Sequence, residues 1–156
     1  MEKAYFAAGC FWGIQQRFSN LDGVLETRVG YMGGQTQSPT YRLVCTGETG
    51  HAETVEVIFD ERIVDFNELL TCFFSWHNPT EFNRQGPDVG SQYRTAIFPT
   101  SSKQVTLSRK KIDELNRTAD FGAQIVTTIE NDHFFWEAES CHQHYLTKRG
   151  LGHCGS

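Results

Sequence analysis

The sequence lacks a run of 18 apolar residues, a low-complexity segment and any Cys-x-x-Cys pair. Without such a run we expect no transmembrane helix, because a helical span needs about 20 apolar residues. The absence of paired cysteines argues against a zinc ribbon. Basic residues are also few, since 14 Lys and Arg stand against 19 Asp and Glu for a net charge of −5. This balance argues against nucleic acid or an anionic membrane as a binding partner.

The length and composition fit one globular domain. The chain has 156 residues, 38% of them hydrophobic and 21% charged, which is enough to bury a core without disulfides. We expect a single catalytic domain over 1–156, with 147–156 as a mobile tail because glycines interrupt that end and little of it is apolar. The apolar run before Cys10 is too short for a signal peptide, which predicts a cytoplasmic protein, and the absence of heptads predicts a monomer.

Hydrophobic periodicity predicts strands and helices in the order β-α-β-β-α-β-α-β. This order favours an α/β (α+β) fold, a two-layer sandwich with a split βαβ, ferredoxin-like core and a mixed, largely antiparallel sheet. A long loop, expected to be functional, is predicted to follow the second strand through Tyr41 to Gly50. The predicted strands are 3–8, 24–31, 52–59, 93–98 and 124–130, and the three predicted helices follow Cys10, cover 65–76 and begin at 101. A short helix is also predicted in the tail, over 137–146.

Cys10 is the first candidate for a catalytic residue. It follows Gly9 where the first strand gives way to a helix. The exposed N–H groups at a helix N-terminus favour a thiolate, so we expect a lowered pKa and a nucleophilic Cys10. Phe11 and Trp12 offer an aromatic surface suited to a methyl or thioether group, and Gly13 allows close approach. The alternative is a small, buried hydrophobic cysteine.

Glu53 is the second candidate. A period of two places Glu53, Val55, Val57 and Phe59 on one face of a strand. Burial on such a face raises the pKa of a carboxyl group, which can then donate a proton near neutral pH. The alternative is a salt-bridged or partly solvated glutamate. We expect His51, in the preceding turn, to be structural.

Five segments, taken together, resemble peptide methionine sulfoxide reductase of the A type. They are GCFWG at 9–13, GYMGG at 30–34, GETGHAETV at 47–55, QGPDVGSQYR at 85–94 and FWEAESCHQHY at 135–145. The resemblance covers nearly the whole chain, in the family's motif order. It implies reduction of the S-epimer of methionine sulfoxide, free or in peptides and proteins. Cys10 would attack the sulfoxide sulfur, release methionine and become a sulfenic acid.

The resemblance also implies roles for the residues around Cys10. Phe11 and Trp12 would hold the methyl group of the substrate. Glu53, Tyr41 and Tyr93 would hydrogen-bond the sulfoxide oxygen and help to protonate it.

Two further residues are candidates for substrate binding by the same resemblance. Asp88 would contact the substrate backbone, and His142 is a weaker candidate for that task. The sequence departs from the family's usual pattern at Cys141, where an aromatic residue is common, and at Pro87, where asparagine is common.

A sulfenic acid is cleared when a second thiol condenses with it to a disulfide, which an external dithiol such as thioredoxin then reduces. We expect Cys154 to be this resolving cysteine, because it lies in the glycine-rich tail. Cys141 is a second possible resolver or relay. Cys45 stays undecided, and Cys72 is expected to pack in a helix. No cofactor is expected beyond the external dithiol.

Two other classes of function compete with this interpretation. One is a cysteine hydrolase that pairs Cys10 with a histidine, which would form an acyl-enzyme and consume no reductant. The other is a metal-binding module built from the thiols and imidazoles near the C-terminus, whose candidate ligands are Cys141, His142, His144, His153 and Cys154.

Overall fold

The chain folds into a mixed β-sheet with helices packed on it. The computed structural model describes residues 1–118, 120–132 and 134–149. Eight strands are found in this part of the chain: β1 Glu2–Ala8, β2 Val24–Met32, β3 Ala52–Phe59, β4 Arg84–Gln85, β5 Asp88–Val89, β6 Thr95–Ile97, β7 Thr128–Ile129 and β8 Trp136–Glu137. The helices are α1 Phe11–Ser19, α2 Tyr41–Cys45, α3 Phe66–Ser75, α4 Ser102–Thr118 and α5 Tyr145–Lys148. Short 3-10 helices cover Ser91–Tyr93 and Ser140–His142.

The sheet confirms the predicted fold. Its strand order is β7-β6-β1-β3-β2-β8, and β4 pairs with β5 in a separate hairpin. The four central strands therefore follow the order 4-1-3-2 when counted along the chain, with antiparallel neighbours. This is the split βαβ arrangement. The parallel pair β6–β7 makes the sheet mixed.

Two helices bury their apolar sides on one face of the sheet. In α1, Phe11, Ile14 and Phe18 are buried, as the helical spacing predicts. Helix α3 begins at its N-cap Asp65, whose side chain accepts a hydrogen bond from the N–H of Glu68 at 2.8 Å. Its predicted apolar positions are all buried in the same core, namely Phe66, Leu69, Leu70, Phe73 and Phe74.

The register of β3 fixes which glutamate faces the helices. Glu53 pairs with Tyr31 of β2, while Glu56, on the opposite face, binds Arg28 at 2.6 Å. Both carboxylates are buried. Because a slip of one residue would exchange the two faces, the antiparallel pairing with β2 places Glu53 on the helix side. The expectation that Glu53 shares a face with Val55 is thus confirmed.

Three segments differ from the predicted elements. The expected loop before Gly50 contains α2, and the loop after α3 contains the β4–β5 hairpin; both are too short for a periodic pattern. The predicted helix 137–146 is wrong, because β8, a 3-10 helix and α5 occupy this region and His144 interrupts it with a φ of 53°. The strand expected over 124–130 is limited to Thr128–Ile129.

Two further observations concern membrane-spanning helices and the C-terminal tail. Within the described residues, no helix is long and apolar enough to cross a membrane. The expected mobile tail 147–156 stays a prediction, because 150–156 lie outside the described residues, while Thr147 and Lys148 belong to α5.

Candidate active site

Cys10 is the N-cap residue of α1, directly after β1. Gly9 before it has a φ of +85°, and a Cβ there would lie 2.8 Å from the Cβ of Gln85. Only glycine fits both the left-handed backbone and this close approach. The turn therefore sets the Cys10 thiol, which is free and half-buried, beside the β4–β5 hairpin that begins at Arg84.

The expected thiolate is not what the structure shows. Burial raises the pKa of Cys10 to about 12, and the Glu53 carboxylate adds to this rise. Hydrogen bonds from the backbone N–H groups of Trp12 and Gly13 act in the opposite direction. They are the predicted contribution of the helix N-terminus, but desolvation outweighs them. The prediction of a lowered pKa is therefore wrong for the unliganded protein, and Cys10 is a neutral thiol at pH 7.

Glu53 lies next to this thiol and is also neutral. Its side chain is 1% exposed, and its Oε1 accepts a hydrogen bond from the N–H of Phe11 at 3.2 Å. Its Oε2 is buried with no hydrogen-bond partner among the described residues. Burial raises the pKa of Glu53 to about 8, and Asp88 contributes to the rise. At neutral pH the carboxyl group is mostly protonated and has a free oxygen position to donate from.

Two tyrosine hydroxyls share the environment of Glu53. Tyr41 is the first residue of α2, and Tyr93 is the last residue of the 3-10 helix Ser91–Tyr93. Burial, followed by the charge of Glu53, raises the pKa of both phenols. Both hydroxyls therefore keep their protons and can donate hydrogen bonds to a ligand. The structure brings together the three groups that the sequence predicts for the sulfoxide oxygen.

The aromatic surface predicted beside Cys10 is formed by several stacked rings. The centroid of the Phe11 ring lies 6.3 Å from that of Tyr41, and the Trp12 ring lies 6.1 Å from Tyr41. Tyr145 of α5 stacks on Trp12 at 3.9 Å. The flat apolar surface formed by these rings suits a methyl group next to a sulfur atom.

His142 packs against two rings of this surface, those of Trp12 and Tyr41. Its ring is 3% exposed, and its centroid lies 4.2 Å from that of Tyr41. Trp12 Nε1–H donates to His142 Nδ1 at 3.0 Å. An acceptor nitrogen requires a neutral imidazole, and burial lowers the pKa of His142 accordingly. The structure therefore places His142 against Trp12 and Tyr41, while its predicted contact with the substrate backbone stays a prediction.

Asp88 lies in β5, at the edge of the same site. Its charge raises the pKa of Glu53, Cys10 and Tyr93, which places the carboxylate within electrostatic range of all three. The hairpin is held by Gln85, whose amide exchanges two hydrogen bonds with the backbone of Asn78. Pro87, the unusual residue before Asp88, lies in the turn between β4 and β5.

The other cysteines occupy different positions. Cys45 is exposed and free at the end of α2, and its thiol shares a hydrogen bond with the Tyr41 hydroxyl. Cys72 is free and half-buried in α3. Cys141 is disulfide-bonded. The predicted resolving cysteine, Cys154, lies outside the described residues.

His51 is structural, as expected. It is buried, its Nδ1 accepts a hydrogen bond from the N–H of Gly34 at 3.0 Å, and its Nε2 pairs with the carbonyl of Thr36 at 2.7 Å. Among residues 1–118, 120–132 and 134–149, no three His, Cys, Asp or Glu residues are grouped to hold a metal ion.

Sequence reasoning missed Glu139. Its Oε2 accepts a hydrogen bond from the backbone N–H of Tyr41 at 2.9 Å, and its Oε1 accepts one from the hydroxyl of Tyr31 at 2.7 Å. Its position within the segment FWEAESCHQHY was the available signal, but the pairing depends on the tertiary fold.

Comparisons with known proteins identify the family of this chain. The sequence model of the family "Peptide methionine sulfoxide reductase" matches residues 2–156. The curated peptide methionine sulfoxide reductase MsrA of Methanothermobacter thermautotrophicus is 53% identical over 156 residues, covering 98% of this chain and 90% of the relative. The MsrA of Methanoculleus marisnigri is 48% identical over 154 residues, covering 99% of this chain and 94% of the relative.

Solved structures give the same result. Mxr1 from Saccharomyces cerevisiae, in reduced form, matches with a TM-score of 0.88 at 34% identity and covers 98% of this chain and 88% of its own. Methionine sulfoxide reductase A of Corynebacterium diphtheriae matches with a TM-score of 0.82 at 35% identity, covering 99% of this chain and 77% of its own. On the sequence match and the fold together, the chain belongs to the peptide methionine sulfoxide reductase family.

Proposed function

We propose that this protein reduces the S-epimer of methionine sulfoxide, free or in peptides and proteins, with Cys10 as the nucleophile. Its family makes it an oxidoreductase that acts on methionine sulfoxide. The observation that carries the assignment of residues is the pair of neutral acids, the Cys10 thiol and the buried Glu53 carboxyl, beside the Phe11–Trp12 surface. A hydrolytic cysteine site has no need of a protonated carboxyl, whereas sulfoxide reduction does.

The proposed reaction uses both protons. The sulfur of Cys10 attacks the sulfoxide sulfur while Glu53 gives its proton to the oxygen, and the Glu53 carboxylate takes up the proton that leaves the thiol. The attack forms a sulfur–sulfur bond between Cys10 and the substrate. The hydroxyl group then passes from the substrate sulfur to the Cys10 sulfur, so that the sulfur–oxygen bond of the substrate and the new sulfur–sulfur bond both break and methionine leaves. The thiol and the sulfoxide thus become a sulfenic acid and methionine, with two electrons moved from Cys10 to the substrate. Tyr41 and Tyr93 donate hydrogen bonds to the same oxygen.

The methyl group of the substrate rests on Phe11 and Trp12 in this arrangement. Asp88 accepts a hydrogen bond from the backbone N–H of the bound residue. His142 keeps the Trp12 ring in place through the bond to Nε1.

Regeneration needs a second thiol and an external dithiol. We propose Cys154 as the resolver, with Cys141 as the alternative. Yeast Mxr1, named above, has also been solved in complex with Trx2, which supports thioredoxin as the reductant for this protein. A cytoplasmic, monomeric enzyme without a prosthetic group is consistent with this scheme.

A stoichiometric experiment tests the proposal. Reduced enzyme mixed with S-methionine sulfoxide, without reductant, should release about one methionine and lose two thiols per chain. The R-epimer should give none, and neither should Cys10→Ser. Cys72→Ser is the matched control, because Cys72 is half-buried and free in α3; it should behave as wild type. Methionine release by Cys10→Ser would refute the assignment.

The resolving thiol is tested separately. Cys154→Ser should release its first methionine and then fail to turn over with thioredoxin. Unimpaired turnover in that variant, together with its loss in Cys141→Ser, would transfer the role to Cys141.

A further inference from the structure

The carboxylate of Glu139 accepts hydrogen bonds from two tyrosines near the site. Glu139 Oε1 accepts a hydrogen bond from the Tyr31 hydroxyl at 2.7 Å, and Glu139 Oε2 accepts one from the Tyr41 N–H at 2.9 Å. The second bond joins residues 98 positions apart in sequence. Both donors keep their protons, and although burial acts to raise the pKa of Glu139, the bonds from Tyr41 and Tyr31 bring it below its usual value. Glu139 is therefore ionised at neutral pH.

The bond to Tyr41 acts at the start of a very short helix. Helix α2 has five residues, and Tyr41 is the first of them. Its N-cap, Thr40, bonds the N–H of Leu43 at 3.2 Å and leaves the N–H of Tyr41 to Glu139. So short a helix has little stability of its own. The direction of α2, and with it the Tyr41 ring, therefore depends on contacts from outside the helix.

The bond to Tyr31 connects that helix to the sheet. Tyr31 is buried in β2 directly opposite Glu53 in β3, and its ring centroid lies 5.9 Å from that of Phe11. Glu139 therefore fixes α2 relative to the strand pair that carries the proton donor. His142, three residues later, packs on the Tyr41 ring at 4.2 Å. One segment thus holds Tyr41 by both its backbone and its ring.

We propose that Glu139 is a positioning residue for the reduction, because its bond to the Tyr41 backbone directs the Tyr41 hydroxyl toward the sulfoxide oxygen. This inference rests on the proposed function, in which Tyr41 donates to that oxygen. Glu139 touches no reacting atom. Its effect on the rate passes through Tyr41.

A double-mutant cycle tests this dependence. Methionine formation from S-methionine sulfoxide is measured in single turnover for wild type, Glu139→Ala, Tyr41→Phe and the double variant. We expect Glu139→Ala to slow the step about tenfold, the size of one lost charged hydrogen bond. In the Tyr41→Phe background the same change should cost less than about twofold. An equal cost in both backgrounds, or no cost in the wild-type background, would overturn the proposal.

Two further variants separate positioning from a general loss of structure. Glu139→Gln keeps an acceptor oxygen for the Tyr41 N–H and should recover most of the rate, even if Glu139→Ala folds poorly. Glu137→Ala removes a carboxylate from the same segment, one that binds Arg28 at 2.6 Å, and should leave the rate unchanged. A loss in Glu139→Gln equal to that in Glu139→Ala would contradict the proposal.

The outcome is distinguishable from a failure of the proposed function. If the wild type forms no methionine, or Cys10→Ser still forms it, the function itself is wrong. If Cys10-dependent reduction occurs and the cycle is additive, only the role of Glu139 is wrong.

Discussion

Glu53 can protonate the sulfoxide oxygen only while its own carboxyl group carries a proton, so Glu53→Gln tests the mechanism through its dependence on pH. Burial raises the pKa of Glu53 from 4.5 to about 8. Below pH 8 most molecules therefore hold the acid, and above pH 8 the protonated fraction falls about tenfold per pH unit. The amide of glutamine keeps the shape of the side chain but gives no proton.

The expected size of the effect follows from general acid catalysis. A positioned acid contributes about 10²- to 10⁴-fold to a rate. We therefore expect Glu53→Gln to form methionine at least about 100-fold more slowly than wild type at pH 6. The wild-type rate should fall about fivefold between pH 8 and pH 9 and approach a tenfold fall per pH unit above that, while the rate of the variant stays flat. Cys10 remains a thiol over this range because burial raises its pKa to about 12, so the decline reports on Glu53.

The assay is rapid-quench single turnover of the reduced enzyme, with methionine measured between pH 5.5 and pH 9.5. Glu56→Gln is the matched control, because Glu56 lies in the same strand, is equally buried and faces Arg28 on the opposite side of the sheet. It should keep the wild-type decline above pH 8. Equal rates for wild type and Glu53→Gln at pH 6, or a wild-type rate that stays constant to pH 9.5, would refute the reasoning.

Three further measurements test separate features. In urea titrations at pH 7.5, Glu53→Gln should be more stable than wild type. The carboxyl group of Glu53 keeps its proton in the folded state but loses it above pH 4.5 in the unfolded state. The free energy of unfolding of the wild type therefore falls by up to about 1.4 kcal/mol per pH unit as the pH rises from 4.5 toward 8. Gly9→Ala should cost about 1–3 kcal/mol in thermal melts, given a φ of +85° and a Cβ 2.8 Å from that of Gln85. An unchanged melting temperature would contradict this. Trp12→Phe should raise KM roughly fivefold with a smaller change in kcat, because the bond to His142 at 3.0 Å is lost; steady-state kinetics with an unchanged KM would argue against the substrate-binding surface.

Short-range patterns were enough to predict the central sheet and the side on which Glu53 lies. The alternation of Glu53, Val55 and Val57 fixes a face, and the apolar spacing of α1 and α3 fixes where the helices pack. The glycine before Cys10 marks the turn that exposes the helix start. These features depend on neighbours within a few residues, which a sequence pattern records directly.

Features that depend on contacts between distant segments could not be predicted. Helix α2 has five residues and is held by Glu139, which is 98 positions away from Tyr41. The pKa of Cys10 depends on how deeply the fold buries the thiol and on its distance from Glu53. A helix N-terminus argues for a thiolate on local grounds, and the tertiary environment reverses that result.

In the proposed mechanism, the neutral state of Cys10 makes its reactivity depend on the bound sulfoxide. With a pKa of about 12, only on the order of one thiol in 10⁵ is ionised at pH 7, and thiolate is the form that oxidants and alkylating agents attack. In that mechanism, a sulfoxide bound on the Phe11–Trp12 surface changes this balance, because its oxygen accepts the proton of Glu53 and leaves a carboxylate that takes the proton of Cys10 as the sulfur attacks. The proposed mechanism thus forms the nucleophile only when the substrate is in place. Under this proposal, burial of two acids beside one another makes the ionisation of Cys10 conditional on the group that it reduces.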